Sequence, residues 1–168
     1  GSISPRKNIS RLIRAFEIFN YQYPVSDISL IIAGARGNGY EQIQKYAQKS
    51  SYKDKIKFIG YVDADDKPAL YANAKIFAYP SFYEGFGFPV LEAMAASAPV
   101  ITSNRSSLAE VAGPAAYLIN PNNPAEIAAA ISQILYSPSL QVEQTKNGLI
   151  RAAQFSWQNA AREFLKII

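Results

Sequence analysis

Short apolar runs alternate with amphipathic segments over about the first 120 residues of the chain. The apolar runs have the length and composition of buried strands, and they predict strands at 29–33, 56–59, 75–79, 99–102 and 116–119. The segments between them predict helices at 9–20, at 40–50, from Asp63 or Asp65 to about Asn73, at 89–96 and at 107–111. Asn8 is placed to cap the first of these helices, and Asp63 or Asp65 the third. The run 29–33 is apolar after its first residue, which indicates a strand covered on both faces of its sheet.

Repeated alternation of strand and helix predicts parallel strands joined by right-handed crossovers. The expected fold class is therefore α/β, with a Rossmann-like, doubly wound parallel sheet. From Pro124 onward the pattern is helical, with a second helix at 138–154 and a third at 156–168 that Ser156 caps. The apolar face of the third helix comprises Trp157, Ala160, Ala161, Phe164, Leu165 and Ile168. A chain of 168 residues can bury about two-thirds of its unfolded surface in one core, so we expect a single domain over 1–168.

Composition excludes several kinds of chemistry. The chain has neither cysteine nor histidine, which excludes disulfides, thiolate chemistry, a histidine base and the usual zinc ligand sets. No apolar run approaches the length of a membrane span. The net charge of +4 is uneven, because residues 1–75 hold 12 of the 17 Lys and Arg against 7 acids. That half of the chain should face an anion or an acidic surface. Nucleic acid is disfavoured as the partner, since the basic residues are dispersed and no nucleic-acid-binding motif occurs.

The segment 81–96 places two carboxylates, Glu84 and Glu92, eight residues apart across a glycine-spaced loop and the start of a helix. Gly85 and Gly87 allow the backbone to turn sharply and approach a ligand, so that N–H groups at the helix start can point at an anion. Carboxylates accept hydrogen bonds well from paired hydroxyls. The pattern predicts a site for a sugar attached to a phosphate. Glu84 would hold a sugar ring on one side of the phosphates and Glu92 a ribose on the other. Each glutamate taken alone is also typical of a solvated surface residue.

The same segment resembles the Glu-x7-Glu motif of the retaining glycosyltransferases of family 4, which have the two-domain GT-B fold. Both glutamates, both glycines, Phe86 between them and the run Pro-Val-Leu-Glu-Ala-Met coincide. The resemblance implies that Glu84 contacts the donor sugar, that the amides of Gly85, Phe86 and Gly87 lie by the sugar and diphosphate, and that Glu92 binds the nucleotide ribose. It extends over nearly the whole chain and covers the carboxyl-terminal, donor-binding half of a GT-B enzyme. The amino-terminal, acceptor-binding half is absent.

Arg6 and Lys7 directly precede a helix start, where the helix dipole disfavours each cation by roughly 0.3–1 kcal/mol. An anion should compensate them, although two solvated loop cations would also fit the pattern. The resemblance implies that Lys7 binds the donor diphosphate. Many family members carry an arginine directly after the initial glycine, where this chain has Ser2. We therefore expect that one phosphate contact is missing or comes from Arg6.

Three other patterns carry weaker hypotheses. The glycines of 34–39 follow a strand, but their spacing does not match a dinucleotide-binding loop, so a plain turn beside a ligand is favoured. Asp63 and Asp65 form an Asp-x-Asp pair, which we interpret as helix capping rather than a metal site. Glu110 is linked to the donor site only loosely by the resemblance, and a surface role is equally compatible. The family requires no metal, so we expect no cofactor besides the donor substrate.

Together these observations predict the nucleotide-sugar-binding domain of a retaining glycosyltransferase that transfers a hexose to an acceptor hydroxyl. Likeness to bacterial mannosyltransferases favours GDP-mannose as donor and a glycan or lipid-linked acceptor in polysaccharide biosynthesis. The expected partner is the missing amino-terminal domain, and the expected location is the cytoplasm or a membrane periphery reached through that domain. The isolated chain should be inactive. Two alternatives stay open, a GT-B nucleotide-sugar epimerase and a non-catalytic nucleotide-sugar-binding module.

Overall fold

The computed structural model describes residues 1–24 and 27–166. The strands are β1 (Ser2–Ile3), β2 (Leu30–Ala33), β3 (Ala35–Arg36), β4 (Ile56–Gly60), β5 (Phe77–Tyr79), β6 (Val100–Ser103) and β7 (Tyr117–Ile119). The helices are α1 (Ile9–Gln22), α2 (Tyr40–Gln48), α3 (Lys67–Ala72), α4 (Phe88–Ala95), α5 (Ser106–Ala112), α6 (Pro124–Tyr136), α7 (Pro138–Ala153) and α8 (Trp157–Phe164). Short 3-10 turns occur at Pro5–Lys7, Lys53–Lys55 and Gly113–Ala115. None of the described helices is long and apolar enough to cross a bilayer.

Every strand pairing within the described residues is parallel. β1 pairs with β3, β2 with β4, and β6 lies between β5 and β7. Helices lie between the successive strands, except between β2 and β3, which Gly34 alone separates. The α/β class with Rossmann-like parallel strands is confirmed. The carboxyl ends of parallel strands meet at one edge, and in open α/β sheets ligands bind beyond that edge.

Every predicted strand and helix is present, with ends displaced by a few residues. The last helix ends at Phe164 in the structure, and Ile168 lies outside the described residues. β1 and β3 were not predicted, because two residues are too few to show a hydrophobic period. The two-sided cover expected for β2 is wrong, because Ile31 is 42% exposed. Ile59 on β4, the strand paired with β2, is 45% exposed.

Three apolar clusters form the core. In one, α1 and α6 pack together over β6 and β7, with Phe19, Ile101, Ile119 and Ile127 fully buried. A second cluster joins α4 and α5 to β6, and a third joins α1 and α2 to β1, β2 and β4. Because α1 contributes to two of the clusters, it ties the separate strand sets into one body. α8 contributes least, with Trp157 86% exposed.

Helix capping follows the sequence rules at some positions and not at others. Ser156 caps α8 as expected, with its hydroxyl accepting from the N–H of Asn159 at 3.1 Å. The predicted cap of α3 is wrong, since the helix begins after Asp66 and Asp63 contributes only its main-chain carbonyl, to Asp66 and Lys67. Asn8 occupies the cap position of α1, but its side chain makes no capping bond.

Candidate functional site

The connection from β1 to α1 meets the connection from β5 to α4 at the carboxyl edge of the strands. The side-chain amide of Asn8, which is buried, donates to the carbonyl of Pro80 at 3.0 Å and to that of Pro121 at 2.7 Å. The N–H of Phe82 donates to the carbonyl of Arg6 at 3.0 Å. The two donations orient the Asn8 amide, and its oxygen accepts from Arg11 Nη1 at 3.4 Å. The φ of 60° at Asn8 also differs from the extended backbone of a typical capping residue. The hydrogen bonds from Asn8 and Phe82 fix the Arg6–Lys7 turn against the loop that carries Glu84.

Arg6 and Lys7 both pair with Glu84. Lys7 Nζ lies 2.7 Å from Glu84 Oε1, and Arg6 NH1 lies 2.5 Å from Glu84 Oε2. Arg6 also donates to the carbonyl of Tyr83 at 2.5 Å. The Glu84 side chain is 10% exposed and that of Lys7 14%, whereas Arg6 is 47% exposed. Arg6 and Lys7, which were predicted as site residues from the sequence, thus both contact the distant predicted site residue Glu84.

The ionisation of Glu84 follows from these contacts. Burial alone would raise the pKa of this carboxyl, but hydrogen bonds from Lys7 and Arg6 outweigh burial and lower its pKa to about 2. The nearby hydroxyl of Ser81 acts in the same direction, although it is buried and its geometry does not amount to a hydrogen bond. Glu84 is therefore a carboxylate at neutral pH. One negative charge faces two cations, which leaves the cluster positive.

Tyr79 completes this cluster and was not selected from the sequence. Its phenol oxygen accepts a hydrogen bond from Lys7 Nζ, and the same ammonium lies 4.7 Å from the centre of the Tyr79 ring. Burial and then the charge of Glu84 raise the pKa of Tyr79, so its phenol is neutral. In the sequence Tyr79 is one apolar position of a strand. It is the last residue of β5, at the edge of the sheet where ligands bind, and this position is the one sequence feature that could have indicated a role in the site.

The backbone of Glu84 is held by the start of α5. Its N–H donates to Ser106 Oγ at 3.2 Å, and its carbonyl accepts from Ser107 Oγ at 2.9 Å. Ser106 adopts a φ of 52°, an uncommon conformation for a residue other than glycine. Two adjacent serines therefore fix both main-chain polar groups of Glu84, a role that single-sequence patterns do not reveal.

The loop after Glu84 brings a helix start to the same place. Gly87 begins α4 with a φ of +114°, and a Cβ added there would lie 2.7 Å from Leu108 Cδ2. Gly85 has open space around it. Phe86 is 37% exposed and packs on Phe88 and Phe155 at centroid distances of 4.7 and 5.9 Å. The first turn of α4 has N–H groups without intrahelical partners, which suits an anion beside this loop.

Glu92 lies one turn into α4 and does not contact Glu84. It is exposed, and its Oε2 accepts a hydrogen bond from the phenol of Tyr71 on α3 at 2.9 Å. Burial and this hydrogen bond raise the pKa of Tyr71. The Tyr71 ring meets Phe77 edge-on at 5.1 Å, and Phe77 stacks on Tyr79 at 5.7 Å. Three aromatic rings thus connect the two glutamates of the motif.

The weaker candidates lie elsewhere. A Cβ on Gly34 or Gly37 would come within about 2.6 Å of main-chain oxygens of Gly1 or Ile3, so these glycines allow close strand contact. The main-chain carbonyl of Glu110 accepts from Arg151 at 2.6 Å. Within residues 1–24 and 27–166, no group of three acidic side chains could hold a metal ion. A surface depression of about 940 Å³ follows α2 and Arg36 and is not lined by Glu84 or Lys7.

Comparison with known families gives a match over residues 1–151, to the family described as glycosyl transferases group 1. One relative is the O-antigen chain mannosyltransferase B of Escherichia coli. It is 40% identical over 167 residues, which make up 97% of this chain and 42% of that protein. The chain therefore spans less than half the length of this relative.

Solved structures share the fold over almost the whole chain. Anabaena HepE, in complex with UDP and glucose, superposes with a TM-score of 0.86 at 22% identity, covering 99% of this chain and 46% of that one. The C-terminal domain of the group 1 glycosyl transferase LpcC from Francisella tularensis superposes with a TM-score of 0.80 at 24% identity, covering 92% of this chain and 82% of that one. The fold is that of one Rossmann-like half of a GT-B glycosyltransferase.

Proposed function

The chain belongs to the glycosyl transferases group 1 family, and we propose that it is the carboxyl-terminal, donor-binding half of a retaining family 4 enzyme. One observation carries the proposal: Arg6 and Lys7 converge on Glu84 at the carboxyl edge of the strands, beside the start of α4. Cations, helix-start amides and a carboxylate in one place are what a sugar attached to a diphosphate requires. The substrate of this half would be a nucleoside diphosphate sugar.

The two cations would bind the diphosphate. As the bond between sugar and diphosphate breaks, negative charge grows on the β-phosphate, and preorganised cations and N–H groups stabilise it. Lys7, Arg6 and the first turn of α4 would supply that stabilisation, with no metal ion taking part. Arg6, at 47% exposure, is the more accessible of the two cations. It would also provide the phosphate contact that is missing at Ser2.

Glu84 would exchange partners when the donor binds. Without a donor, each of its carboxylate oxygens accepts from one cation. Phosphate oxygens would compete for the same cations and leave the carboxylate able to accept from sugar hydroxyls. Its negative charge would also oppose the positive charge that develops on the anomeric carbon. Retention of configuration is compatible both with same-face attack assisted by the leaving phosphate and with a covalent intermediate.

Glu92 would bind the ribose of the nucleotide. Its carboxylate is exposed, and only one of its two oxygens accepts a hydrogen bond within the described chain, from Tyr71. That bond limits the rotation of the carboxylate and leaves the other oxygen for a ribose hydroxyl. The ring series Tyr71, Phe77 and Tyr79 would lie along the path between ribose and sugar.

The donor sugar and the acceptor are proposed from relatives. A 40% identical relative is a mannosyltransferase of O-antigen chains, which favours mannose as the hexose, GDP-mannose as the donor, and a glycan or lipid-linked acceptor. The acceptor would bind to an amino-terminal half outside the 168-residue segment, since this segment spans 42% of that relative. A structure described as a C-terminal domain, of which the chain covers 82%, supports the assignment of the halves.

Binding and product analysis together test the proposal. A panel of GDP-mannose, GDP, UDP-glucose and UDP should raise the thermal unfolding midpoint of the chain, with the guanine nucleotides raising it most. In the longer enzyme, the anomeric configuration of the product, read by NMR, should match that of the donor. An epimerase would convert the free sugar nucleotide without an acceptor, and a binding module would show stabilisation with no transfer. No stabilisation by any member of the panel would contradict the proposal.

A further inference from the structure

Tyr79 is held rigidly at the end of β5. Its ring stacks on Phe77 with 5.7 Å between centroids and 20° between planes. Its carbonyl accepts from the hydroxyl of Thr102 on β6 at 3.0 Å, next to the strand pairing of Tyr79 with Thr102. The phenol oxygen therefore has a fixed position relative to the sheet.

The Lys7 ammonium is directed by two acceptors at once. It donates to the phenol oxygen of Tyr79 and to Glu84 Oε1. A lysine ammonium has three N–H donors. Two of them are used in these bonds, which leaves the third for a ligand. The Lys7 side chain is only 14% exposed, so it lies against the protein rather than extending into water.

We propose that Tyr79 is a positioning residue that aims the Lys7 ammonium at the diphosphate of the donor. This inference rests on the proposed function, because it assigns a role toward the same ligand. Glu84 alone cannot do this, since the proposed exchange of partners takes the carboxylate away from Lys7 when the donor arrives. Tyr79 keeps its bond to Lys7 throughout, because a neutral phenol does not compete for sugar hydroxyls as strongly as a carboxylate does.

The hydroxyl is separable from the rest of the side chain. The ring of Tyr79 stacks on Phe77, and a phenylalanine would fill the same space. Tyr79→Phe therefore removes the acceptor for Lys7 and leaves the packing in place. Tyr117→Phe is a matched control. It removes another phenol of a strand residue, that of Tyr117 on β7, which donates to Gln133 Oε1 at 2.8 Å.

The experiment measures ligand affinity by calorimetry on the 168-residue chain. The probe is whichever of GDP, UDP, ADP and dTDP binds most tightly, compared with the matching nucleoside. Tyr79→Phe should lower the affinity for the diphosphate about fivefold to tenfold and leave the affinity for the nucleoside unchanged. Tyr117→Phe should change neither affinity. In a Lys7→Met background, Tyr79→Phe should have no further effect, because its action passes through that ammonium.

Each outcome separates the two proposals. If Lys7→Met lowers the affinity for the diphosphate and Tyr79→Phe does not, the role of Tyr79 is rejected and the proposed function stands. Equal weakening of nucleoside and diphosphate by Tyr79→Phe would show a general structural role and would also reject it. If Tyr79→Phe causes the same loss of diphosphate affinity in the Lys7→Met background, Tyr79 acts independently of Lys7 and its positioning role is rejected. If none of the four diphosphates binds the unsubstituted chain, both proposals fail.

Discussion

Lys7 and Glu84 are 77 positions apart in the sequence, yet Lys7 Nζ lies 2.7 Å from Glu84 Oε1. The backbone is held on both sides of this pair, because the turn before α1 is bonded to Phe82 and the backbone of Glu84 is bonded to Ser106 and Ser107. The pair is mostly buried and the second carboxylate oxygen belongs to Arg6. The site is therefore assembled, with its charges paired, before any ligand arrives.

The charge of Glu84 should make folding stability depend on pH. Its pKa of about 2 in the folded chain is below the ordinary value of 4.5, so ionised Glu84 favours the folded state. That contribution is complete above about pH 4.5 and is lost as the pH falls toward 2. In denaturant titrations, the stability difference between the unsubstituted chain and Glu84→Gln should shrink by about 3 kcal/mol from pH 6 to pH 2. A difference that stays constant over this range would show that the ion pairs contribute nothing. Glu143→Gln, at an exposed position of α7, provides the control.

The two glycines of the motif should differ sharply in their tolerance of a side chain. Gly87→Ala places a Cβ 2.7 Å from Leu108 Cδ2 at a φ of +114°, and we expect a loss of about 2–4 kcal/mol in the free energy of unfolding. Gly85→Ala meets no atom within 4 Å, so its cost should be below about 0.5 kcal/mol. Thermal and urea unfolding of both variants measures the contrast. Equal losses would contradict the packing described at the start of α4.

The two glutamates should have separate effects on binding of the free nucleotide. Glu92→Ala removes a charged acceptor for a ribose hydroxyl and should weaken the nucleoside diphosphate by about 1.5–3 kcal/mol. Glu84→Ala should not weaken it, because the free nucleotide lacks the sugar and because Arg6 and Lys7 lose their competing partner. Calorimetry with GDP compares the variants, with Glu143→Ala as an exposed control. Similar losses for Glu84→Ala and Glu92→Ala would reject this division of roles.

The isolated chain should bind a donor without transferring sugar. The residues for the acceptor are expected on the other half of the enzyme, and the cleft between the halves is what would exclude water. The chain, mixed with GDP-mannose and simple mannosides, should therefore give no product by mass spectrometry. Turnover at a rate typical of enzymes, about 1 per second or more, would show that the site is complete in this half.

Much of the fold could be predicted because it depends on local patterns. The runs that became β2, β4, β5, β6 and β7 are apolar and bounded by polar turns, so their positions followed from the sequence. β1 and β3 could not be found, since each is only two residues long. The expected cover of β2 failed because hydrophobicity alone does not show whether another element covers each face of a strand.

The site was predictable where the residue type itself carries the chemistry. Arg6, Lys7 and Glu84 were selected for their charge, and the structure brings them together. Tyr79 and Tyr71 were missed, because their hydroxyls matter only through partners that lie 72 and 21 positions away. The capping bond predicted for Asn8 does not form, because local sequence shows neither its left-handed backbone nor the distant carbonyls of Pro80 and Pro121 that orient its amide.

The central claim is that this edge of the sheet binds the diphosphate of a nucleotide sugar through its cations. Calorimetry of GDP and guanosine on the unsubstituted chain and on Lys7→Ala tests it most directly. We predict that GDP binds the unsubstituted chain at least about tenfold more tightly than guanosine. The ratio of the two affinities should fall in Lys7→Ala and with added salt, and a chelator should not change it. Equal affinities of GDP and guanosine for the unsubstituted chain would contradict the account.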